Sequence, residues 1–350
     1  MVRHVAFAVP GDLAAPTGGY GYDRRMIVEL QGLGWRVDVV GLGEGFPHPD
    51  AEQKSFAHAR LAAVAKDIPI VIDGLAFGVL PEAAQMLRAT HCLIALVHHP
   101  LALETGVPAA DVALLRTSER AALAAARGVI VTSAPTARLV AADYGVPADR
   151  ITVAPPGVDR GAPAQGSRDG TVRLLAIGSI IPRKGFDVLI AALATLPDLP
   201  WHLTIAGDRT RNADAATKLD ADIARHKLGA RVAVLGARPD TQIAALYAAS
   251  DLFVLASRFE GYGMAFAEAI AHGLPVIGTT AGAIAETVPP GAGVLVPPDD
   301  VAALAQALRR TIANADERGR LAAGARAAAA TLPTWPASAK LFAGAIEAVA

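Results

Sequence analysis

Short, mostly apolar runs recur along this 350-residue chain, each followed by a glycine- or proline-broken loop and then by a stretch of helix formers. They lie at 5–9, 36–40, 68–72, 92–97 and 128–131, and again at 172–177, 201–206, 231–235, 252–255, 275–278 and 294–296. Runs of this length and apolarity suit strands buried on both faces, as in parallel sheets. Helical stretches at 23–33, 50–66, 81–89, 111–126 and 135–142, and then at 187–196, 213–228, 240–249, 264–271, 299–314, 317–331 and 337–349, supply the crossovers that such sheets need. The fold class is therefore α/β. A chain of this length exceeds one ordinary hydrophobic core, so two domains are expected.

Composition narrows function by exclusion. The formal net charge of −1 gives no overall basic field for nucleic acid, so any anion site must be local. The single cysteine, Cys92, excludes an intramolecular disulfide and a multi-cysteine metal cluster, and its apolar setting marks it as core. The run at 5–9 is too short for a secretory signal, and no run approaches the ~20 apolar residues of a membrane span. A soluble, cytoplasmic protein is expected, with peripheral contact to a membrane left open.

Ligands of open parallel sheets bind beyond the carboxyl ends of the strands, so the loops there carry the argument. The first, at 10–21, holds Gly18 and Gly19 but lacks the Gly-x-Gly-x-x-Gly spacing of a dinucleotide site, which argues against an NAD-dependent enzyme. Arg24 and Arg25 follow and read as a solvated helix face. His98 and His99 end the run at 92–97, at the same edge as Gly18 and Gly19. A structural hydrogen-bonding role competes there with a ligand role. No third ligand of suitable spacing is visible, so no metal is expected. Thr132 and Ser133 read as a helix cap. In the second half, Arg183 and Lys184 lie between a strand and a helix. They can neutralise a diphosphate, the arginine bidentately; a solvated loop is the alternative.

The most informative loop is Ser257-Arg258-Phe259-Glu260-Gly261-Tyr262-Gly263-Met264-Ala265-Phe266-Ala267-Glu268-Ala269. It joins the run at 252–255 to a helix at 264–271. The first turn of a helix carries free N–H groups and the positive end of the dipole, which suits phosphate. Gly261 and Gly263 keep side chains out of the way, and Tyr262, Met264 and Ala265 border the turn. Glu260 and Glu268 cannot ligate phosphate themselves. They read as hydroxyl acceptors on either side of a diphosphate, one for a sugar and one for a ribose, although two glutamates at this spacing also arise by chance.

The whole string resembles the E-x7-E signature of retaining GT-B glycosyltransferases of family 4. His272-Gly273-Leu274-Pro275-Val276-Ile277 resembles that family's continuation, and residues 155–159 resemble the string that ends its first domain. The resemblance covers nearly the full length and is more specific in the second half. It implies two Rossmann-like domains facing across a cleft: 1–160 on the acceptor side, a linker at 161–170, 171–335 on the donor side, and a helix at 336–350 crossing back to the first domain. It further implies sugar transfer, with retention and without a metal or other cofactor, from a nucleotide-sugar such as a UDP- or GDP-sugar to a small molecule, glycan or lipid.

By the same resemblance Gly18 and Gly19 approach the donor, His98 rather than His99 sits by the sugar, and Lys184 meets the diphosphate. Ser179 stands where the family commonly has arginine, and Arg183 is its candidate substitute. Arg209 is a modest candidate for a base or phosphate contact. Gly282 and Ala283, in a loop that resembles the family's Gly-Gly-x-x-Glu element, offer further backbone N–H groups. A phosphorylase or nucleotide-sugar epimerase of the same fold is the nearest alternative. A non-catalytic nucleotide-binding or scaffold protein is the alternative of another class.

Overall fold

The computed structural model describes residues 3–167 and 169–350. The chain divides into two compact units, one running to Gly157 and including Pro333–Ala350, the other Val158–Leu332. In the first unit β1 (His4–Val9), α1 (Gly18–Gly32), β2 (Arg36–Gly41), α2 (Ala51–Ala62), β3 (Ile70–Asp73), α3 (Gly74–Phe77) and α4 (Pro81–Leu87) lead to β4 (Leu93–Val97), α5 (Ala109–Ala125), β5 (Gly128–Val131), α6 (Ala134–Tyr144) and β6 (Ile151–Val153). The strands form a parallel sheet in the order β2-β1-β3-β4-β5-β6. β3, β4 and β5 are buried along their whole length, which is why they read as unbroken apolar runs.

The second unit holds β7 (Val172–Ile177), α7 (Phe186–Ala194), β8 (Trp201–Ala206), α8 (Ala213–Arg225), β9 (Val232–Val234), α9 (Asp240–Ala248) and β10 (Leu252–Val254). α10 (Met264–Ala271), β11 (Val276–Thr279), α11 (Ile284–Thr287), β12 (Gly293–Val296), α12 (Val301–Ala313) and α13 (Ala315–Ala329) complete it. Its parallel sheet has the order β12-β11-β10-β7-β8-β9. The last helix, α14 (Trp335–Glu347), belongs to the first unit: Phe342 stacks on Phe7 with centroids 6.1 Å apart, and Trp335 packs on Tyr22.

Each sheet has one place where the chain reverses its direction of travel. In the first it lies between β1 and β3, and in the second between β7 and β10, which pair directly. Such switch points open a crevice at the carboxyl ends of their strands because the two connections leave toward opposite faces. The loops after β1, β7 and β10 therefore meet the positions that sequence reasoning singled out.

Local readings need three corrections. The segment holding Gly18 and Gly19 is the first turn of α1 and not loop: Thr17, in extended geometry, accepts the Tyr20 N–H and starts the helix five residues early. Arg24 does not face solvent but donates to the carbonyls of Leu13 and Ala15, while Arg25 lies over the Trp335 ring at 5.0 Å. Residues 161–167 do not stand apart as a connector. Ala164 and Gln165 donate to the carbonyls of His272 and Ala248, and the Ser167 N–H donates to Asp251, which fastens the segment to the second unit.

Candidate active site

At the second unit's switch point the loops after β7 and β10 are tied together before any functional group is considered. The Arg258 N–H donates to the Arg183 carbonyl at 2.8 Å, and the Arg258 guanidinium bridges Asp187 and Asp299. Gly185 turns left-handed, at φ +64°, so close to Ala256 that a Cβ would collide with its carbonyl. The aliphatic stem of Lys184 lies against Gly178, where a Cβ would come within 3.1 Å of Cε.

These constraints bring Arg183 and Lys184 onto Glu260. The Lys184 Nζ donates to Glu260 Oε1 at 2.6 Å, and the Ser257 hydroxyl donates to the same oxygen at 2.6 Å. Arg183 donates to Glu260 Oε2 at 3.3 Å and to the Phe259 carbonyl at 2.9 Å. Burial by itself would raise the Glu260 carboxyl, but Lys184 and then Arg183 outweigh it and hold it down at about 2. Oε1 has both lone pairs taken, whereas Oε2 keeps one acceptor position. Arg183 and Lys184 are thus not a solvated loop: both pair with the buried Glu260 carboxylate. Ser257, which sequence reasoning left without a role, is part of the same cluster.

Beside the cluster α10 begins at Gly263, at φ +93°, with no side-chain cap on its first turn. Glu268, partly buried on α10, accepts the Tyr247 hydroxyl through Oε2 at 2.9 Å. Burial pushes its carboxyl up to about 7, and the hydrogen bond from Tyr247 offsets that only in part. Tyr262 is largely enclosed, and its carbonyl accepts the Thr287 hydroxyl. One expectation fails in this region. The Ala283 N–H is spent on the Glu260 carbonyl at 2.9 Å, so Ala283 fixes the loop and does not offer a phosphate donor. Gly282 lets the loop come this close, since a Cβ there would collide with that carbonyl. Arg209 pairs with Asp220 on the partly exposed face of α8, and no contact links it to Glu260. Ser179 is half-buried in the loop after β7.

The first unit's switch point gathers a second cluster. The His98 Nε2 lies 3.0 Å from Asp23 Oδ1 and 3.6 Å from Asp73 Oδ2. Gly19 lies against the ring, where a Cβ would be 3.4 Å from Cδ2, and Tyr22 meets it edge-on with centroids 5.4 Å apart. His99 instead faces Glu104 at 3.4 Å. Burial would lower the His98 pKa, yet Asp23 and then Asp73 outweigh it and hold it at about 10. Burial raises Asp23 to about 7, while Asp73, which also accepts the Leu75 N–H, is lowered on balance. Sequence spacing alone concealed these carboxylates. They lie 75 and 25 residues before His98, so the fold supplies ligand-type groups that no suitable spacing revealed. The three are the one His/Cys/Asp/Glu grouping among the described residues tight enough for a metal, with ligand atoms within 4.8 Å of one another. The 3.0 Å contact has the geometry of a donated Nε2–H. The legible signal was a charged residue, Asp73, closing an otherwise apolar run. Ser133 caps α6 as expected, and Thr132 donates to the His98 carbonyl.

Residues 24–161 match the family model described as Glycosyltransferase Family 4, and residues 160–328 match the one described as Glycosyl transferases group 1. A D-inositol 3-phosphate glycosyltransferase from Xylanimonas cellulosilytica is 32% identical over 60% of this chain and 54% of that protein. The chain thus spans about half the length of the curated relatives it matches. A sucrose-phosphate synthase from Thermosynechococcus elongatus superposes with a TM-score of 0.82, covering 98% of both chains at 22% identity. Anabaena HepE, solved in complex with UDP-glucose, superposes at 0.76 with 21% identity, covering 99% of this chain and all of that one. At these identities the structural likeness speaks to the fold, which is GT-B. No helix among the described residues is long and apolar enough to cross a membrane. With one glycosyltransferase model matching each half of a GT-B fold, the chain belongs to the family 4, group 1 glycosyltransferases.

Proposed function

We propose that this chain transfers a sugar from a nucleoside-diphosphate sugar to an acceptor hydroxyl, with retention at the anomeric carbon and without a resident metal. The observation that carries the reading is the Lys184–Glu260–Arg183 cluster beside the uncapped start of α10. As the bond to the anomeric carbon breaks, negative charge grows on the departing diphosphate. Lys184, Arg183 and the first-turn N–H groups of Met264 and Ala265 are fixed in advance to meet it, so little reorganisation is needed in the transition state. Glu260 pairs with both cations, which their own turn positions, and the remaining lone pair on Oε2 accepts one sugar hydroxyl. Glu268, with Oε1 unoccupied, accepts the ribose hydroxyls. The protein-borne cations Lys184 and Arg183 take the part that a divalent ion plays in other sugar transferases. The names and complexes of related proteins, an inositol-phosphate glycosyltransferase among them and HepE with UDP-glucose, support a nucleotide-sugar donor.

The test is turnover of UDP- and GDP-sugars, with candidate acceptors, in excess EDTA. Product mass gives the transfer, and the anomeric coupling by NMR gives the stereochemistry. The expected outcome is a new glycoside with the donor's anomeric configuration at an undiminished rate. Loss of turnover restored by Mg²⁺ or Mn²⁺ would contradict the role given to Arg183 and Lys184. Donor hydrolysis, an epimer or phosphate exchange without transfer would point to a phosphorylase or epimerase. Tight nucleotide binding with no turnover would mark a binding protein.

A further inference from the structure

We propose that Asp23 and Asp73 are positioning residues that hold His98 as a fixed imidazolium, with Nε2–H donated inward and Nδ1–H presented to an oxygen of the substrate; this rests on the glycosyltransferase reading above. Both carboxylates are buried, with Asp23 fully enclosed and Asp73 2% exposed. No lysine or arginine among the described residues pairs with either. Two buried carboxylates without a counter-charge are costly, and the imidazolium is the cation within reach. The ring is gripped on several sides: Asp23 and Asp73 at Nε2, Gly19 against Cδ2, and Tyr22 edge-on.

Tyr22 adds no charge, because burial pushes its phenol well above the ordinary value and its hydroxyl donates to the Ala154 carbonyl. Nδ1 makes no hydrogen bond to a described residue and is not a buried orphan atom. It therefore belongs to the part of the ring that solvent or a ligand can reach, since the side chain is 18% exposed. The functional consequence is specific. His98 is a charged donor to an oxygen and not a general base, so it does not take the acceptor's proton.

The experiment is a pH titration of protein labelled with ¹⁵N-histidine, read by NMR and paired with a pH profile of donor turnover. In the wild type, His98 is expected to keep both ring protons up to about pH 9, well above the ordinary histidine value of about 6.5. In Asp23→Asn and Asp73→Asn it is expected to titrate between about pH 6 and 8. Activity of either variant should then fall at least about tenfold between pH 6 and 8 and return on acidification. Asp73 also caps α3 through the Leu75 N–H, so Asp23→Asn, which leaves that cap intact, guards against misfolding. A neutral His98 at pH 7 in the wild type would overturn the proposal, as would an activity loss equal at all pH values. So would a stoichiometric divalent ion on an unprotonated Nε2. Failure of the wild type to turn over any donor would count against the functional reading, and the NMR titration would still judge the imidazolium.

Discussion

Among single residues, Lys184 carries the largest predicted effect. Its ammonium meets charge that grows only as the diphosphate leaves, so its loss should appear in kcat and not only in KM. Lys184→Ala should lower kcat by roughly 10²–10³-fold, the usual size for one fixed electrostatic donor. Saturating-donor kinetics with kcat unchanged would reduce Lys184 to a structural ion pair. Glu268 makes a separate prediction through pH. Its carboxyl is raised to about 7, so below that pH it keeps a proton that an unfolded chain would release. The stability it contributes is present below the ordinary carboxylate range and is lost as pH rises through about 7. A ribose diol needs the ionised acceptor, so nucleoside-diphosphate binding near pH 6 should release a proton, and affinity should rise toward pH 8. Calorimetry in buffers of different ionisation enthalpy reads this directly; no proton release, or the same affinity at both pH values, would contradict it. Both glutamates, Arg183 and Lys184 were legible in sequence because motif and loop position named them. Asp23 and Asp73 were not, because what defines them is proximity to His98 across two strands, and spacing along the chain does not encode that.

At the level of elements, the strands and most helices followed from apolar periodicity, whereas the ends that matter functionally did not. The early start of α1 depends on a Thr17 cap that a glycine-rich segment disguises. The amide of Ala283 was expected to be available and proved to be spent, because Gly282 lets its loop close on Glu260. That tightness is testable. Gly185→Ala puts a Cβ into the Ala256 carbonyl at a left-handed φ, which costs about 1–3 kcal/mol. It should lower the melting temperature by several degrees and weaken nucleotide binding by displacing Lys184. Gly229→Ala, with nothing near its Cβ, serves as the neutral control. Equal behaviour of the two variants in melting and binding would mean that the turn does not set the site.

For the whole molecule, the α/β rhythm and chain length foretold two parallel-sheet units, and the strand order explains why each unit places its charged loop residues where its sheet changes direction. The acceptor was illegible, because a hydroxyl-bearing partner is chosen by loop shape and not by a motif. The central claim is that Glu268 and Glu260 hold opposite ends of one donor, and calorimetric titration of Glu268→Ala and Glu260→Ala with nucleoside diphosphate and with intact donor tests it most directly. A charge-assisted hydrogen bond is worth about 1.5–3 kcal/mol, so Glu268→Ala should weaken both ligands by roughly ten- to a hundredfold. Glu260→Ala leaves Lys184 and Arg183 for the diphosphate, so nucleoside-diphosphate affinity should not fall by more than about twofold while turnover drops sharply. Equal losses for both ligands in both variants would contradict this division of roles and make the pair one structural unit.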